Sequence, residues 1–342
     1  RPLRRRRLLA PPRERRLMTA ILGRGTCGAH LTLLFTVEDA SADPVEQGSR
    51  GTGICVEDGI EAIARGQAGE PRLSIRFIDD VGDTRLYQQV LDLLCEEVEA
   101  AKSMQWELAV RMHLPISQGF GMSAAGAVAA ACAFQRALGL PHEESLRRAF
   151  SIAHRVERAN STGLGDVAAL AAGGIERRIA PGAPYSGTQL TRGPGIAQGW
   201  SEATPVVLAW RENPGRHTSE YIDHPDWKRL ISEAGSTQMS SLSAGGWDSS
   251  RWQDLIDSAQ TFSRDSRLID DASRGILVEA GTNAAERAGF AGRVSVLLCM
   301  LGENIVIVPN SLDSAPQSFD SLISELKKEG LLAKATRVGP LS

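Results

Sequence analysis

No apolar run in this 342-residue chain approaches the roughly 20 residues that a bilayer-crossing helix needs, so no segment reads as a membrane span. Cysteine is sparse and odd in number: the five, at 27, 55, 95, 132 and 299, form no C-x-x-C pair. That excludes a disulfide framework or a zinc site of the usual spacing and fits buried free thiols in a reducing, cytoplasmic setting. The phosphate-binding pattern G-x-x-x-x-G-K-[ST] is absent from the sequence. Lysine is scarce, 5 against 33 arginines, an imbalance that reflects genome composition more than function.

What is present is ordinary for a soluble globular protein, at 42% apolar and 23% charged residues. The length suggests about two domains. Residues 1–17 stand apart, with eight arginines against the single acid Glu14. They carry +7 and leave −10 on residues 18–342, since the whole chain has a net charge of −3. No aromatic residue is interleaved with these arginines for base stacking. The segment reads as a disordered leader, or as translated sequence upstream of a start at Met18, and no nucleic-acid or membrane partner is expected. A homodimer is compatible with a sequence that carries no assembly signal of its own.

The most informative stretch runs from Pro115 to Ala127. Gly119 and Gly121 can adopt backbone angles closed to other residues, so successive N–H groups can converge on an anion. The run from Ala124 to Phe134 reads as a helix starting where the glycines stop, with its free N–H groups and positive dipole end aimed over the loop. This is phosphate-binding chemistry without a P-loop; a tight turn before a closely packed core helix would look similar. Strands are expected at 31–37, 51–56, 73–78, 106–114, 205–210, 294–300, 304–308 and 334–338. Helices are expected at 86–101, 141–158, 225–234, 251–263, 267–288 and 317–330, with a loop at Ser236–Ser250. The Gly/Pro/Thr-rich stretch at 181–200 marks a boundary between an N-terminal domain, 18–195, and a C-terminal one, 196–342.

The loop Pro115-Ile-Ser-Gln-Gly-Phe-Gly-Met-Ser-Ala-Ala125 resembles the P-x-x-x-G-L-G-S-S-A-A signature of the GHMP small-molecule kinases, with Phe120 and Met122 replacing a Leu and a Ser. Independently, Asp166 lies seven residues before Gly173-Gly174, the spacing of the catalytic Asp in mevalonate kinases. Within the superfamily the chain is most similar to the archaeal pantoate kinases. Asp43-Pro44 with Gly48-Ser-Arg-Gly-Thr-Gly53, Gln118 to Gly126, and Thr162-Gly-Leu-Gly-Asp-Val167 carry that likeness. Gly28-Ala-His-Leu-Thr32 departs from the family's P-G-H-I-T, and Met300-Leu-Gly-Glu-Asn304 is one residue longer than its M-L-G-N.

The resemblance implies a two-domain α+β fold, an S5-like α+β half followed by a ferredoxin-like α+β half. It implies an ATP- and Mg²⁺-dependent phosphotransferase acting on pantoate in coenzyme A biosynthesis of the archaeal type. Pro115, Gln118, Gly119, Phe120, Gly121, Met122, Ser123, Ala124 and Ala125 would bind the phosphates of ATP. Ser123 and Glu157 would hold Mg²⁺, and Asp166 would accept or orient the proton of the attacking hydroxyl. His30, Thr32, Ser49, Arg50 and Gly51 would bind pantoate, with Arg50 answering its carboxylate. The alternatives are a kinase for another small alcohol, such as homoserine or a mevalonate-like acid, and a catalytically silent metabolite-binding relative.

Overall fold

The computed structural model describes residues 20–79, 82–187, 189–212 and 224–342, so the leader expected at 1–17 lies outside the described residues. The first sheet is organised by β2 (Gly51–Ala68). β1 (Ile21–Phe35) pairs with it antiparallel along nearly its whole length. The other edge of β2 is shared: its start, Gly51–Ile54, meets β5 (Ile175–Ala180), and residues 60–68 meet β4 (Met104–Met112). β3 (Arg72–Phe77) extends the sheet in parallel beside β4, and β6 (Ile196–Trp200) closes the far side beside β5.

Three helices cover this sheet. α1 (Thr84–Glu97), which a short α2 (Glu99–Lys102) follows, and α4 (His142–Asn160) flank α3 (Met122–Ala137). All but two residues of α3 are buried, and most are alanine, so the helix lies close on the strands. A Cβ placed on Gly25 of β1 would come within 1.9 Å of the Ala129 carbonyl, which is why that position has no side chain. Trp106 and Phe134 fill the space beyond, their rings edge-on at 5.0 Å.

The second sheet contains β7 (Pro205–Trp210), β8 (Val294–Cys299), β9 (Asn304–Pro309) and β10 (Leu332–Arg337) in the order β10-β7-β9-β8, each pair antiparallel. Helices α6 (Pro225–Leu242), α7 (Trp252–Asp265) and α8 (Ala272–Arg287) lie between β7 and β8 in sequence, and α9 (Asp320–Lys328) precedes β10. This βαββαβ order is that of a ferredoxin-like half. The halves interlock: Leu34, Phe35 and Val37 at the end of β1 enter the core of the second half. The Met300 N–H also donates to the Thr32 carbonyl at 2.8 Å.

Several expectations shift. β6 carries the first sheet through Trp200, past the boundary expected at 195. α5 (Asp166–Ala172) forms where only a glycine-punctuated segment was foreseen, and β5 and β6 were not anticipated. α6 continues to Leu242 through serines expected in a loop, because Met239 and Leu242 are buried in the second core and tertiary packing outweighs their neighbours' weak propensity. Gly25→Val is expected to lower stability by about 1–3 kcal/mol, the range for overpacking. Urea unfolding followed by circular dichroism would register this as a lower midpoint; an unchanged midpoint would mean that α3 and β1 are not in close contact.

Candidate active site

β4 leads through residues 113–121 into α3. Gly119 has φ +81° and Gly121 φ +60°, the left-handed region where only glycine is unstrained. Gly121 is the N-cap, no side chain caps the first turn of α3, and that turn contains no acid. The N–H groups at the start of a 16-residue helix are therefore left facing outward together with its positive dipole end. The loop is clamped on both sides. From β1, the His30 N–H donates to the Phe120 carbonyl at 3.0 Å. From the second half, the Asn304 amide donates to the Gln118 carbonyl. Gln118 Nε2 in turn donates to the Arg211 carbonyl at 2.8 Å, and Phe120 packs edge-on against Trp210 at 5.5 Å.

Asp166 opens α5 and lines two spaces at once. One is a cavity of about 580 Å³ above the glycine loop, with Gly119, Gly121, Ser123, Tyr87 and Gly302 in its wall. The other is a cleft of about 40 Å³ between Thr32, Phe35, Ser49, Leu164, Met300 and Leu301. Behind Asp166 runs a buried polar chain. His30 Nδ1 lies 2.6 Å from Asp166 Oδ1, and His30 Nε2 lies 3.0 Å from Glu176 Oε1. Arg178 Nη1 donates to the same Glu176 oxygen at 2.7 Å. Burial opposes charge on His30, but the hydrogen bonds and charges of Asp166 and Glu176 outweigh it and raise the imidazole above its ordinary range. Burial likewise opposes charge on Asp166, yet His30 and Arg178 hold its carboxyl below the usual range.

Glu157, on α4, is also buried, and neither carboxylate oxygen has a hydrogen-bond partner. Burial, then the charge of Asp166, pushes its carboxyl up to about 7 against the opposing pull of Ser123, Thr162 and Arg158. Both carboxylates flank Gly163: a Cβ there would lie 2.3 Å from Glu157 Oε2 and 2.8 Å from Asp166 Oδ2. An orphaned carboxylate beside a hydroxyl and a second carboxylate is a hard-oxygen set that suits Mg²⁺. Among the described residues no group of three His, Cys, Asp or Glu side chains forms a metal cage, so waters and phosphate oxygens would complete the coordination.

The sequence-predicted residues are sorted by this geometry. Gly119, Gly121, Ser123 and Asp166 share the larger cavity, while Thr32 and Ser49 line the cleft. Phe120 and Met122 are buried anchors of the loop. His30 does not face the cleft: it has no exposed surface, and both ring nitrogens are engaged. Arg50 does not line the cleft either, because its guanidinium is taken by Glu38 at 2.6 Å and Ser236 at 3.1 Å. Gly51 acts as a spacer; a Cβ there would sit 2.5 Å from Arg178 Nη2. The cation nearest the floor of the cleft is Arg178, whose unpartnered Nε would lie 2.7 Å from a Cβ on Gly165, beside Ser49. Glu176 and Arg178 were not foreseen; their only signal is an acid and a base two apart on a strand following Gly173-Gly174.

Residues 85–174 match the family described as the GHMP kinases N terminal domain. The pantoate kinase of Thermococcus kodakarensis is 32% identical over 161 residues, 46% of this chain and 52% of that protein. The pantoate kinase of Methanospirillum hungatei is 31% identical over 160 residues, with the same shares. The chain thus matches about half the length of these curated relatives. Solved structures extend the likeness over the whole fold. A phosphotransferase related to the CoA biosynthesis pathway superposes with a TM-score of 0.71 at 22% identity, covering 93% of this chain and 96% of that one. A mevalonate kinase from Leishmania major, solved with R-mevalonate, gives 0.63 at 15% identity, covering 95% and 98%. The architecture is that of the GHMP kinases.

The Glu157 carboxyl, raised in the fold, makes stability pH-dependent in metal-free protein. Its contribution is complete below the ordinary carboxylate range of about 4.5 and is lost as pH rises through about 7, because the unfolded chain ionises first. Glu157→Gln does not titrate, so its thermal midpoint is expected to gain on the wild type between those limits and to hold a level advantage above them. Parallel pH profiles without Mg²⁺ would refute the assignment.

Proposed function

We propose that this chain is a small-molecule kinase that transfers the γ-phosphoryl group of ATP to the primary hydroxyl of pantoate, giving 4-phosphopantoate and ADP for coenzyme A synthesis of the archaeal type. One observation carries the reading: Asp166 stands at the junction of a cavity over an uncapped helix N-terminus and a small cleft of mixed character. A donor phosphate on one side and an acceptor hydroxyl on the other would meet at its carboxylate. The likeness to curated pantoate kinases over about 160 residues supports the choice of acceptor.

Phosphoryl transfer asks chiefly for positioning and charge neutralisation. The N–H groups of the loop and of the first turn of α3 hold the triphosphate, with Ser123 and Glu157 as the protein ligands of Mg²⁺. When bound, the cation neutralises phosphate charge and relieves the unpaired carboxylate of Glu157. Asp166, held ionised by His30, is a weak base that orients the acceptor hydroxyl. It takes the proton as the bond from oxygen to the γ-phosphorus forms and the bond to the β-phosphate oxygen breaks. Thr32 and Ser49 offer hydroxyls to the two oxygens of the acceptor chain, and Phe35, Leu164, Met300 and Leu301 give an apolar wall for its gem-dimethyl group. The positive charge behind Ser49 that favours the substrate carboxylate is that of Arg178, in place of Arg50.

ADP release measured with pantoate, homoserine, mevalonate and shikimate in parallel tests the proposal. Turnover is expected with pantoate; turnover only with another alcohol would overturn the substrate assignment, and ATP binding without any turnover would favour a silent relative. Asp166→Ala is expected to lower kcat by about 10²–10⁴ while leaving ATP binding by calorimetry within a few-fold. Full activity of that variant would remove Asp166 from the mechanism.

A further inference from the structure

The chain of groups behind Asp166 is built across three neighbouring strands, and β2 is bare where it passes. His30 lies on β1 and Glu176 on β5, with Gly53 of β2 paired opposite Glu176 and next to Thr32. A Cβ on Gly53 would lie 2.5 Å from His30 Nε2 and 3.1 Å from Glu176 Oε1. Gly51 opens the same space for Arg178. The two glycines of Gly51-Thr-Gly53 thus leave a side-chain-free passage in which His30 and Glu176 touch. His30, Glu176 and Arg178 are all fully buried.

A doubly protonated His30 balances the charges in the passage. Both ring nitrogens of His30 face a carboxylate oxygen, Asp166 at 2.6 Å from Nδ1 and Glu176 at 3.0 Å from Nε2, closer than the Arg178 Nη1 that lies 3.3 Å from Nε2, and a carboxylate only accepts hydrogen bonds. Two ring protons satisfy both carboxylate contacts, and the set Arg178⁺, Glu176⁻, His30⁺, Asp166⁻ sums to zero, with its first three members shut off from solvent. Two further titratable groups lie beside them: the Cys55 thiol on β2, held neutral by burial, and the Glu157 carboxyl across Gly163, raised by burial and by Asp166.

We propose that Glu176 is a positioning residue of the transfer site, holding His30 as a doubly protonated ring that in turn fixes and keeps ionised the carboxylate of Asp166. Glu176 touches neither cavity, so it acts only through His30. With Oδ1 of Asp166 tied to His30, Oδ2 is left on the Gly163 side, toward Glu157. Arg178 keeps the Glu176 carboxylate paired, which stops it from drawing a proton from the ring. The proposal rests on the reading of Asp166 as the carboxylate that handles the acceptor hydroxyl.

Two measurements test it on the full chain. Nitrogen-15 NMR of the His30 imidazole at pH 7 should show both ring nitrogens protonated in the wild type and one unprotonated in Glu176→Gln. A neutral His30 in the wild type would overturn the proposal, whether or not the variant folds. In steady-state assays Glu176→Gln should lower kcat by about 10–100-fold, the scale seen when a partner behind a functional group is lost. KM for ATP should stay within about threefold, because ATP does not touch Glu176 or its partner Arg178. A kcat within twofold of wild type, per folded molecule, would equally overturn it, since a purely structural Glu176 would lower the thermal midpoint and leave kcat and the ring protons unmoved. If the wild type phosphorylates none of the alcohols offered, the proposed function fails on its own account, and the His30 spectrum still judges the relay.

Discussion

Keeping a carboxylate charged where water is mostly excluded costs free energy that a cation within hydrogen-bonding reach offsets, and the groups behind Asp166 are arranged around that demand. On the proposed reading His30 meets it at 2.6 Å, with Glu176 behind His30 and Arg178 behind Glu176. Each requirement places a constraint on a separate element. β1 must present a histidine inward, β5 an acid and a base on one face, and β2 no side chain at two positions between them. α5 must start at residue 166.

The glycine loop is held from both halves, which links the larger cavity to the cleft. Its backbone is fixed to β1 through Phe120 and to β9 through Gln118, while Phe120 rests on Trp210 of β7. Met300 and Leu301, from the turn between β8 and β9, line both the cavity and the cleft. On the proposed reading, the ferredoxin-like half therefore acts as the outer wall that sets the distance between donor and acceptor. A shift of that wall would alter both sites together.

How much of this was legible in the sequence can be traced residue by residue. The loop and α3 were readable because two glycines and an alanine run are local signals, and Asp166 because its spacing to Gly173-Gly174 is fixed within one short segment. β5 was not, since Glu176-Arg177-Arg178 reads as a solvated charge run. What buries it is a histidine on β1, well over 100 positions earlier in the chain. His30 itself stood out, but its role depended on partners that only the fold brings together. The Gly-Ser-Arg-Gly segment reaches the cleft at Ser49. It misplaced Arg50, because Glu38 on the neighbouring strand end captures the guanidinium. Charged side chains choose among partners by geometry, and that choice leaves little trace in local sequence.

The most direct test of the central claim is phosphorus-31 NMR of the product formed when the chain is incubated with Mg-ATP and pantoate. A new phosphomonoester resonance, coupled to the methylene protons of the primary alcohol carbon and appearing in step with ADP, is the outcome the account predicts. ADP accumulating with inorganic phosphate alone, or a phosphomonoester formed from homoserine or mevalonate but not from pantoate, would contradict it.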